Sequence, residues 1–266
     1  MSKNQRLLEP EIKAMILNHL KDTQRLDKQT TIINELTVDG YSRRVDLVTV
    51  NQKRMIAYEV KSEADSLHRL DGQTKKYLEY FDKVVIVAAK KHIDKIMNIV
   101  PKNVAVWEIS TEGVKIRQRG KMNSSIVKSK IIDLMKVNEL IKLSNQFNLI
   151  LSSKNRRSAA TALNVLPLST LKNAALYYIQ ERFSFSNSLF WKHFSSNKAL
   201  PRHIKLLSPY KETREIQKTE KEEVQSFWMN WSTSQIEDPH LVEISREQGK
   251  PVFGAPPAHI ERLLAA

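Results

Sequence analysis

The feature that most constrains the fold is a set of three strand-like segments joined by short polar breaks. The segments are residues 30–38, Arg43–Val50 and Met55–Lys61, and each is rich in β-branched and other apolar residues. Asp39-Gly40 and Asn51-Gln52-Lys53 separate them. Breaks this short join neighbouring antiparallel strands. The sequence therefore predicts an antiparallel meander in the first quarter of the chain.

Helical patterns flank this meander. Before it, apolar residues recur at helical spacing over residues 7–20, and Pro10 falls in the first turn, where a helix tolerates proline. After it, a continuously apolar strand is reached through a helix, which indicates a parallel crossover. The prediction is an α/β fold, a mixed sheet flanked by helices. The further elements are a helix over residues 67–81, a strand over Lys83–Ala89, a helix over residues 92–100 and a strand over residues 104–109.

The pattern changes near residue 120, where a polar, glycine-containing stretch interrupts it. Beyond it the sequence predicts a mainly helical region, with helices over residues 126–147, 155–166 and 169–183. We predict three parts: a domain over residues 1–120, a basic helical domain over residues 121–213 that binds substrate or a partner, and a polar, acidic C-terminal tail over residues 214–266.

Composition excludes several classes of site. The chain has no cysteine, so thiol nucleophiles, cysteine-ligated metals and disulfides are ruled out, and a metal would need oxygen or imidazole ligands. The seven histidines are scattered, and no glycine-rich phosphate loop is present. No apolar run reaches the roughly 18 residues of a membrane span. We expect a soluble cytoplasmic protein with no membrane partner.

Positive charge is concentrated in the middle of the chain. The formal net charge is +14, and residues 121–218 carry 17 Lys and Arg against 5 Asp and Glu. Such an excess favours a polyanionic partner, because each neutralised phosphate releases counterions. A solvated basic face is the alternative interpretation.

Three ionisable residues fall on two neighbouring strands of the meander. Asp46 lies on one, and Glu59-Val60-Lys61, after twelve intervening residues, lies on the next. Glu59 and Lys61 share a face because strand side chains alternate. Carboxylates among apolar neighbours are costly unless a cation satisfies them, and a hard divalent ion suits them. Alternatively, Lys61 forms a surface salt bridge with Asp46 or Glu59, worth about 0–1 kcal/mol.

This arrangement resembles the PD-(D/E)XK (restriction-endonuclease-like) nuclease superfamily over residues 7–110. The resemblance implies a restriction-endonuclease-like core in which Asp46 and Glu59 bind Mg²⁺, with Mn²⁺ as a substitute. It also implies that the carbonyl of Val60 completes the metal site and that Lys61 orients water or holds the phosphate. Val45 stands where the motif's proline is expected.

The resemblance extends to further residues. Gln73 and Tyr77 match the Gln-x3-Tyr feature of the RecB-like branch, and both would face the site or the nucleic acid backbone. Tyr77 could equally be a core residue. Several members use one more acidic residue on the first helix or first strand, a place that Glu11 or Glu35 would fill.

Five basic residues are candidate nucleic-acid contacts. Arg43 and Arg44 lie beside the predicted active site, and Lys154, Arg156 and Arg157 begin a predicted helix in the basic region. A helix start offers both basic side chains and free N–H groups to phosphates. A solvated helix start is the alternative.

The leading hypothesis is a metal-dependent nuclease that hydrolyses DNA phosphodiester bonds through a Mg²⁺-activated water. The alternative is a catalytically silent DNA-binding or regulatory module on the same fold, or an interaction protein. A homodimer and a protein partner bound through the C-terminal region both remain open. Stand-alone nucleases of this kind are typical of bacterial or phage repair, restriction and defence.

Overall fold

The described residues form one six-stranded sheet, whose strands lie side by side in the order in which the chain forms them. The computed structural model describes residues 7–51, 53–195 and 197–207. The first three strands are antiparallel, the third to the fifth are parallel, and the sixth is antiparallel to the fifth. The predicted α/β fold with a mixed sheet is confirmed. The strands are β1 (Thr31–Val38), β2 (Arg43–Val50), β3 (Met55–Lys61), β4 (Lys83–Ala89), β5 (Ala105–Ser110) and β6 (Gly113–Gln118).

Strand β6 is the strand that the sequence did not predict. Only six residues long, it includes Lys115 and Arg117 and leaves Ile116 more than a third exposed. Its apolar signal is weak because it lies at the edge of the sheet, where one side meets solvent. The predicted bounds of β2, β3 and β4 are confirmed, and most residues of these strands are apolar and buried.

Helices cover both faces of the sheet. One apolar cluster joins the first helix and the last two helices to one face, and a second cluster joins the other helices to the opposite face. None of the helices in the described ranges is long and apolar enough to cross a membrane. On the first face lie α1 (Glu9–Asp22), α8 (Ser184–Phe194) and α9 (Pro201–Ile204); on the second lie α2 (Leu70–Tyr80), α3 (Ile93–Ile99), α4 (Lys128–Asp133), α5 (Val137–Gln146), α6 (Arg156–Leu163) and α7 (Leu168–Arg182).

The helical region is confirmed, with different boundaries. The helix predicted over residues 126–147 is two helices, α4 and α5, and α8 and α9 were not predicted. Serine, asparagine and aromatic residues give α8 a weak helical signal, and packing of Phe190 and Phe194 in the apolar cluster stabilises it instead. The division into domains stays a prediction. The acidic tail predicted over residues 214–266 lies outside the described residues.

Helix α8 also covers the free edge of β1. The buried amide of Asn187 accepts a hydrogen bond from Ile32 N at 2.7 Å and donates one to Ile32 O at 2.9 Å. Trp191 Nε1 donates to the carbonyl of Thr30 at 3.1 Å. A side chain amide therefore replaces the neighbouring strand that this edge lacks.

Gly120 offers a test of how closely the chain packs after β6. Its φ is +63°, and an added Cβ would lie 2.6 Å from both Ala105 N and Asn103 O. We expect Gly120→Ala to lower the free energy of unfolding by about 3 kcal/mol or more, measured by urea denaturation, because backbone must move. Gly40, with φ +60° and no atom nearby, is the control: Gly40→Ala should cost about 1 kcal/mol. Equal losses would contradict the packing described.

Candidate functional site

The meander opens into a fork at one end, and the candidate site lies in that fork. Strands β2 and β3 stay paired as far as Leu47 and Tyr58. A continued register would set Asp46 opposite Glu59, but the ladder stops before this pair. The N–H of Val60 donates instead to Asp46 Oδ2 at 2.7 Å. The side chain of Asp46 is thereby fixed in the opening between the two strands.

Glu59 is the centre of the hydrogen-bond network in the site. It is only 2% exposed. Its Oε1 accepts from Lys61 Nζ at 2.7 Å and from Gln73 Nε2 at 2.6 Å, and its Oε2 accepts from Tyr77 Oη at 3.0 Å. Lys61 Nζ also donates to Gln73 Oε1 at 3.2 Å. The ion pair of Lys61 is with Glu59 and is buried, so it is not a salt bridge on a solvated surface.

Tyr77 belongs both to the site and to the core. Its ring is fully buried and packs edge-on against Phe81. Its hydroxyl lies 3.0 Å from Glu59 Oε2 and 3.0 Å from the carbonyl of Arg44. Burial and the negative charge of Glu59 raise the pKa of Tyr77 far above its ordinary value, so the phenol keeps its proton and donates. Both sequence interpretations of Tyr77 describe part of its environment.

The carboxyl group of Asp46 is poorly solvated. Burial and, next, the negative charge of Glu59 raise the pKa of Asp46 to about 7, against the lowering effect of the Val60 hydrogen bond. Two neighbouring carboxylates in such surroundings favour either a proton or a cation. The surroundings of Asp46 therefore do not supply enough positive charge to stabilise its ionised form.

Glu35 lies where β1 approaches the fork. It falls between the pairs Asn34 with Leu47 and Leu36 with Val45, which is the position opposite Asp46. Its φ is +65°, an unusual value for a residue within a strand. Its Oε2 lies 3.2 Å from Arg44. The strained residue thus lies opposite Asp46 in the strand register, and its carboxylate is close to Arg44 and Lys13.

A buried lysine on α1 was not predicted from the sequence. Lys13 is 2% exposed, and its Nζ donates to Asn34 Oδ1 at 2.7 Å and lies 2.5 Å from Glu9 and 4.0 Å from Glu35. Glu9 raises and Lys13 lowers the pKa of Asp46, so both act on the site. The sequence did indicate this burial, because Lys13 lies on the face of α1 that is otherwise apolar.

Glu11 is not in contact with the other acidic residues of the site. It lies two residues from both Glu9 and Lys13, so it points to the opposite side of α1. Its Oε2 is buried and has no hydrogen-bond partner among the residues that the structure describes. Of the two acidic residues suggested by the sequence, only Glu35 lies opposite Asp46 in the strand register. The acidic residue of α1 whose charge acts on Asp46 is Glu9.

The basic candidates fall in two places. Arg43 and Arg44 begin β2 at the mouth of the fork, where Arg43 is half-buried and Arg44 is exposed. Arg156 donates to the carbonyl of Met135 and lies 3.7 Å from Asp133, so its guanidinium is engaged within the protein. Lys154 and Arg157 are exposed. Contact of these five residues with nucleic acid stays a prediction.

Oxygen ligands for a divalent metal are available in the fork. No group of three or more His, Cys, Asp or Glu side chains within the described ranges could hold a metal by itself. Asp46 and Glu59 supply two carboxylates, and the carbonyl of Val60 points to the same side of β3 as its N–H, toward Asp46. Mg²⁺ commonly takes one or two carboxylates and completes its shell with water. These donors, together with the poorly solvated Asp46, fit such an ion.

Comparison with known proteins gives three matches. The family model described as Bacteriophage P4 protein cII matches residues 2–208. Protein cII of Enterobacteria phage P4 is 31% identical over 199 residues, which is 73% of this chain and 75% of that protein. A solved structure of a protein of unknown function from Silicibacter pomeroyi covers 56% of this chain and 93% of its own, with 15% identity and a TM-score of 0.35. The structural likeness is too weak to support an argument.

The pKa of Asp46 predicts how stability depends on pH. The folded value of about 7 exceeds the ordinary 3.8, so the folded protein keeps a proton that the unfolded chain loses. Asp46 therefore lowers the free energy of unfolding progressively between about pH 4 and pH 7, and by a constant amount above that.

The variant Asp46→Asn tests this, because asparagine cannot ionise and can still accept the hydrogen bond from Val60 N. In EDTA, calorimetry should give the variant an unchanged Tm at pH 4 and a Tm higher by about 3 °C or more at pH 8. A lower Tm at pH 8 would refute this.

Lys13 should contribute to stability as well as to the charge of the site. Lys13→Met removes a buried cation from two partly exposed carboxylates and from Asn34, so we expect urea denaturation to show a loss of about 1–3 kcal/mol. Lys75 forms an exposed pair with Asp71 at the same helical spacing, and Lys75→Met should change stability by less than about 0.5 kcal/mol. Similar losses in both variants would argue against a special role for Lys13.

Proposed function

We propose that this chain, which belongs to the bacteriophage P4 protein cII family, is a metal-dependent nuclease that hydrolyses DNA phosphodiester bonds. The observation that carries the proposal is the buried Glu59–Lys61 pair, which Gln73 and Tyr77 hold beside Asp46 in the fork. A protein seldom keeps two carboxylates and a lysine this close in a poorly solvated place without a use for them. Their agreement with the Glu-x-Lys and Gln-x3-Tyr patterns of the PD-(D/E)XK superfamily supports the proposal.

Asp46, Glu59 and the Val60 carbonyl would hold Mg²⁺, for which Mn²⁺ would substitute. When bound, the ion would lower the pKa of a water molecule and offset the negative charge that builds up on the phosphate. The hydrogen bond from Val60 N keeps Asp46 turned into the fork. The donors from α2 keep Glu59 in place, so neither carboxylate has to be ordered when a substrate arrives.

Lys61 is the residue that would contact the scissile phosphate or orient the attacking water. Its ammonium is fixed by Glu59 and by Gln73 Oε1, so its position does not depend on the substrate. A fixed cation stabilises developing negative charge without reorganisation during the reaction. Glu35 and Glu9 would adjust the charge around Asp46, and Lys13 would limit their repulsion.

DNA is the proposed partner. Arg43 and Arg44 lie at the mouth of the fork, and Lys154 and Arg157 add exposed positive charge on the helical region. Because the net charge of the chain is +14, a polyanion is favoured over an acidic small molecule. Cytoplasmic location, a role in repair, restriction or phage defence, and a possible dimer are parts of this proposal.

The second candidate is a catalytically silent DNA-binding or regulatory module on the same fold. One observation favours it: both oxygens of Glu59 already accept hydrogen bonds from three side chains. A metal would have to share this carboxylate or displace a donor. A silent module would keep the network as a structural device and would bind DNA without cutting it.

The decisive test is cleavage of supercoiled plasmid, linear duplex and single-stranded DNA in Mg²⁺, Mn²⁺ or EDTA. We expect cleavage with either metal and none in EDTA. Asp46→Asn and Lys61→Met should reduce the rate by at least about 100-fold, because each removes a group that acts on the reacting phosphate or its metal. Asp71→Asn and Lys75→Met change an exposed pair on α2 and should cut at the parent rate.

Circular dichroism and a Tm for each variant exclude unfolding as the cause of lost activity. Cleavage by the Asp46 and Lys61 variants at the parent rate would remove these residues from the mechanism. DNA binding with no cleavage by the parent in any metal would favour the silent module.

A further inference from the structure

The hairpin between β1 and β2 ends in an exposed aromatic ring on a strained backbone. Three successive residues, Asp39, Gly40 and Tyr41, have positive φ angles of 56°, 60° and 71°. The left-handed region is unfavourable for a bulky residue such as tyrosine. Tyr41 is nevertheless 85% exposed, so burial of its ring does not offset the strain. Strain at an exposed position is a reason to look for a binding role.

Contacts from two helices hold this hairpin in place. Asp39 Oδ1 accepts from Lys130 Nζ on α4 at 3.0 Å, and Asp39 N donates to Tyr80 Oη on α2 at 3.0 Å. Ser42 closes the turn through its N–H and its hydroxyl, which donate to the carbonyl and the carboxylate of Asp39 at 3.1 and 3.0 Å. The ring of Tyr41 therefore stands on an anchored turn rather than on a free loop.

The hairpin lies at the same end of the sheet as the fork. Arg43, the first residue of β2, pairs with Val38 and is two residues from Tyr41. Asp46 is three residues farther along β2, which is about 10 Å in an extended strand. A nucleic acid strand that crosses the fork would pass the two arginines and then reach the ring within a few nucleotides.

We infer that Tyr41 stacks on an unpaired nucleobase of a single strand, while Arg43 and Arg44 contact the adjoining phosphates. The inference rests on the proposed function, because it takes the fork as the place where the same strand is cut. Stacking needs an accessible base face, and a duplex covers its base faces except at the ends. Aromatic stacking tolerates any base, since every base has a π-face. Tyr41 would thus favour single strands over blunt duplexes without reading sequence.

The test measures binding in EDTA, so that no cleavage is required. The probes are a labelled single-stranded DNA oligonucleotide, the RNA of the same sequence and a blunt DNA duplex. Tyr41→Asn removes the ring, and asparagine tolerates a positive φ. We expect its affinity for single strands to fall about 5- to 150-fold and its affinity for the duplex to fall less than about twofold. Tyr41→Phe keeps the ring and should bind like the parent.

Tyr177 provides the control, because it is an exposed tyrosine, 58% accessible, on α7. Tyr177→Asn should bind every probe as the parent does. A loss for DNA and RNA single strands alike supports stacking on the base. Unchanged single-strand affinity in Tyr41→Asn, an equal loss for the duplex, or an equal loss in Tyr177→Asn overturns the inference. Because cleavage plays no part, a protein that binds as expected but never cuts would refute the proposed nuclease alone.

Discussion

The buried ion pair between Glu59 and Lys61 is the interaction on which the rest of the site depends. Removing two charges from water is costly, and attraction between them offsets that cost only when further hydrogen bonds satisfy the remaining lone pairs. Gln73 and Tyr77 supply those bonds from α2. The docking of α2 and the arrangement of the carboxylate are therefore coupled, since loss of either leaves a buried charge unsatisfied. This coupling makes the site rigid before any ligand is present.

The fork depends in turn on a local departure from regular strand geometry. At Glu35 the backbone enters the left-handed region, and Ile33 and Leu36, three residues apart, pack in the same apolar cluster. A regular strand would set residues three apart on opposite faces. Val45 and Val48 show the same reversal on β2. The irregular segment is thus confined to the place where the acidic residues meet, and Lys13 ties it to α1.

Much of the fold could be predicted from the sequence, because the patterns that indicate strands, helices and turns lie within short segments of the chain. A long apolar run marked β4, and short β-type runs separated by polar breaks predicted β2, β3 and the meander. Spacing also predicted that Glu59 and Lys61 share one face of a strand and that Gln73 and Tyr77 share one face of a helix. The resemblance to the nuclease superfamily, not the spacing, suggested that the two pairs meet.

What escaped prediction depends on contacts between distant segments. The burial of Lys13 requires β1 to pass beside α1, and the positive φ of Glu35 has no signature in its neighbours. Arg156 was predicted to contact nucleic acid, because the sequence does not show that its guanidinium donates to a carbonyl 21 residues away. Glu9, which acts on Asp46, was not predicted, because helical periodicity alone does not fix which side of the first turn of α1 faces the site.

The amide of Asn187 has a consequence for assembly. By bonding both N and O of Ile32, it occupies the edge of β1 that another chain would need in order to add a strand. At the opposite edge, β6 carries Lys115 and an Arg117 that pairs with Glu108, and lysine on an edge strand disfavours pairing with a further strand. Strand addition at either edge of the described sheet is therefore disfavoured between two copies, and the same arrangement protects that sheet from edge-to-edge aggregation.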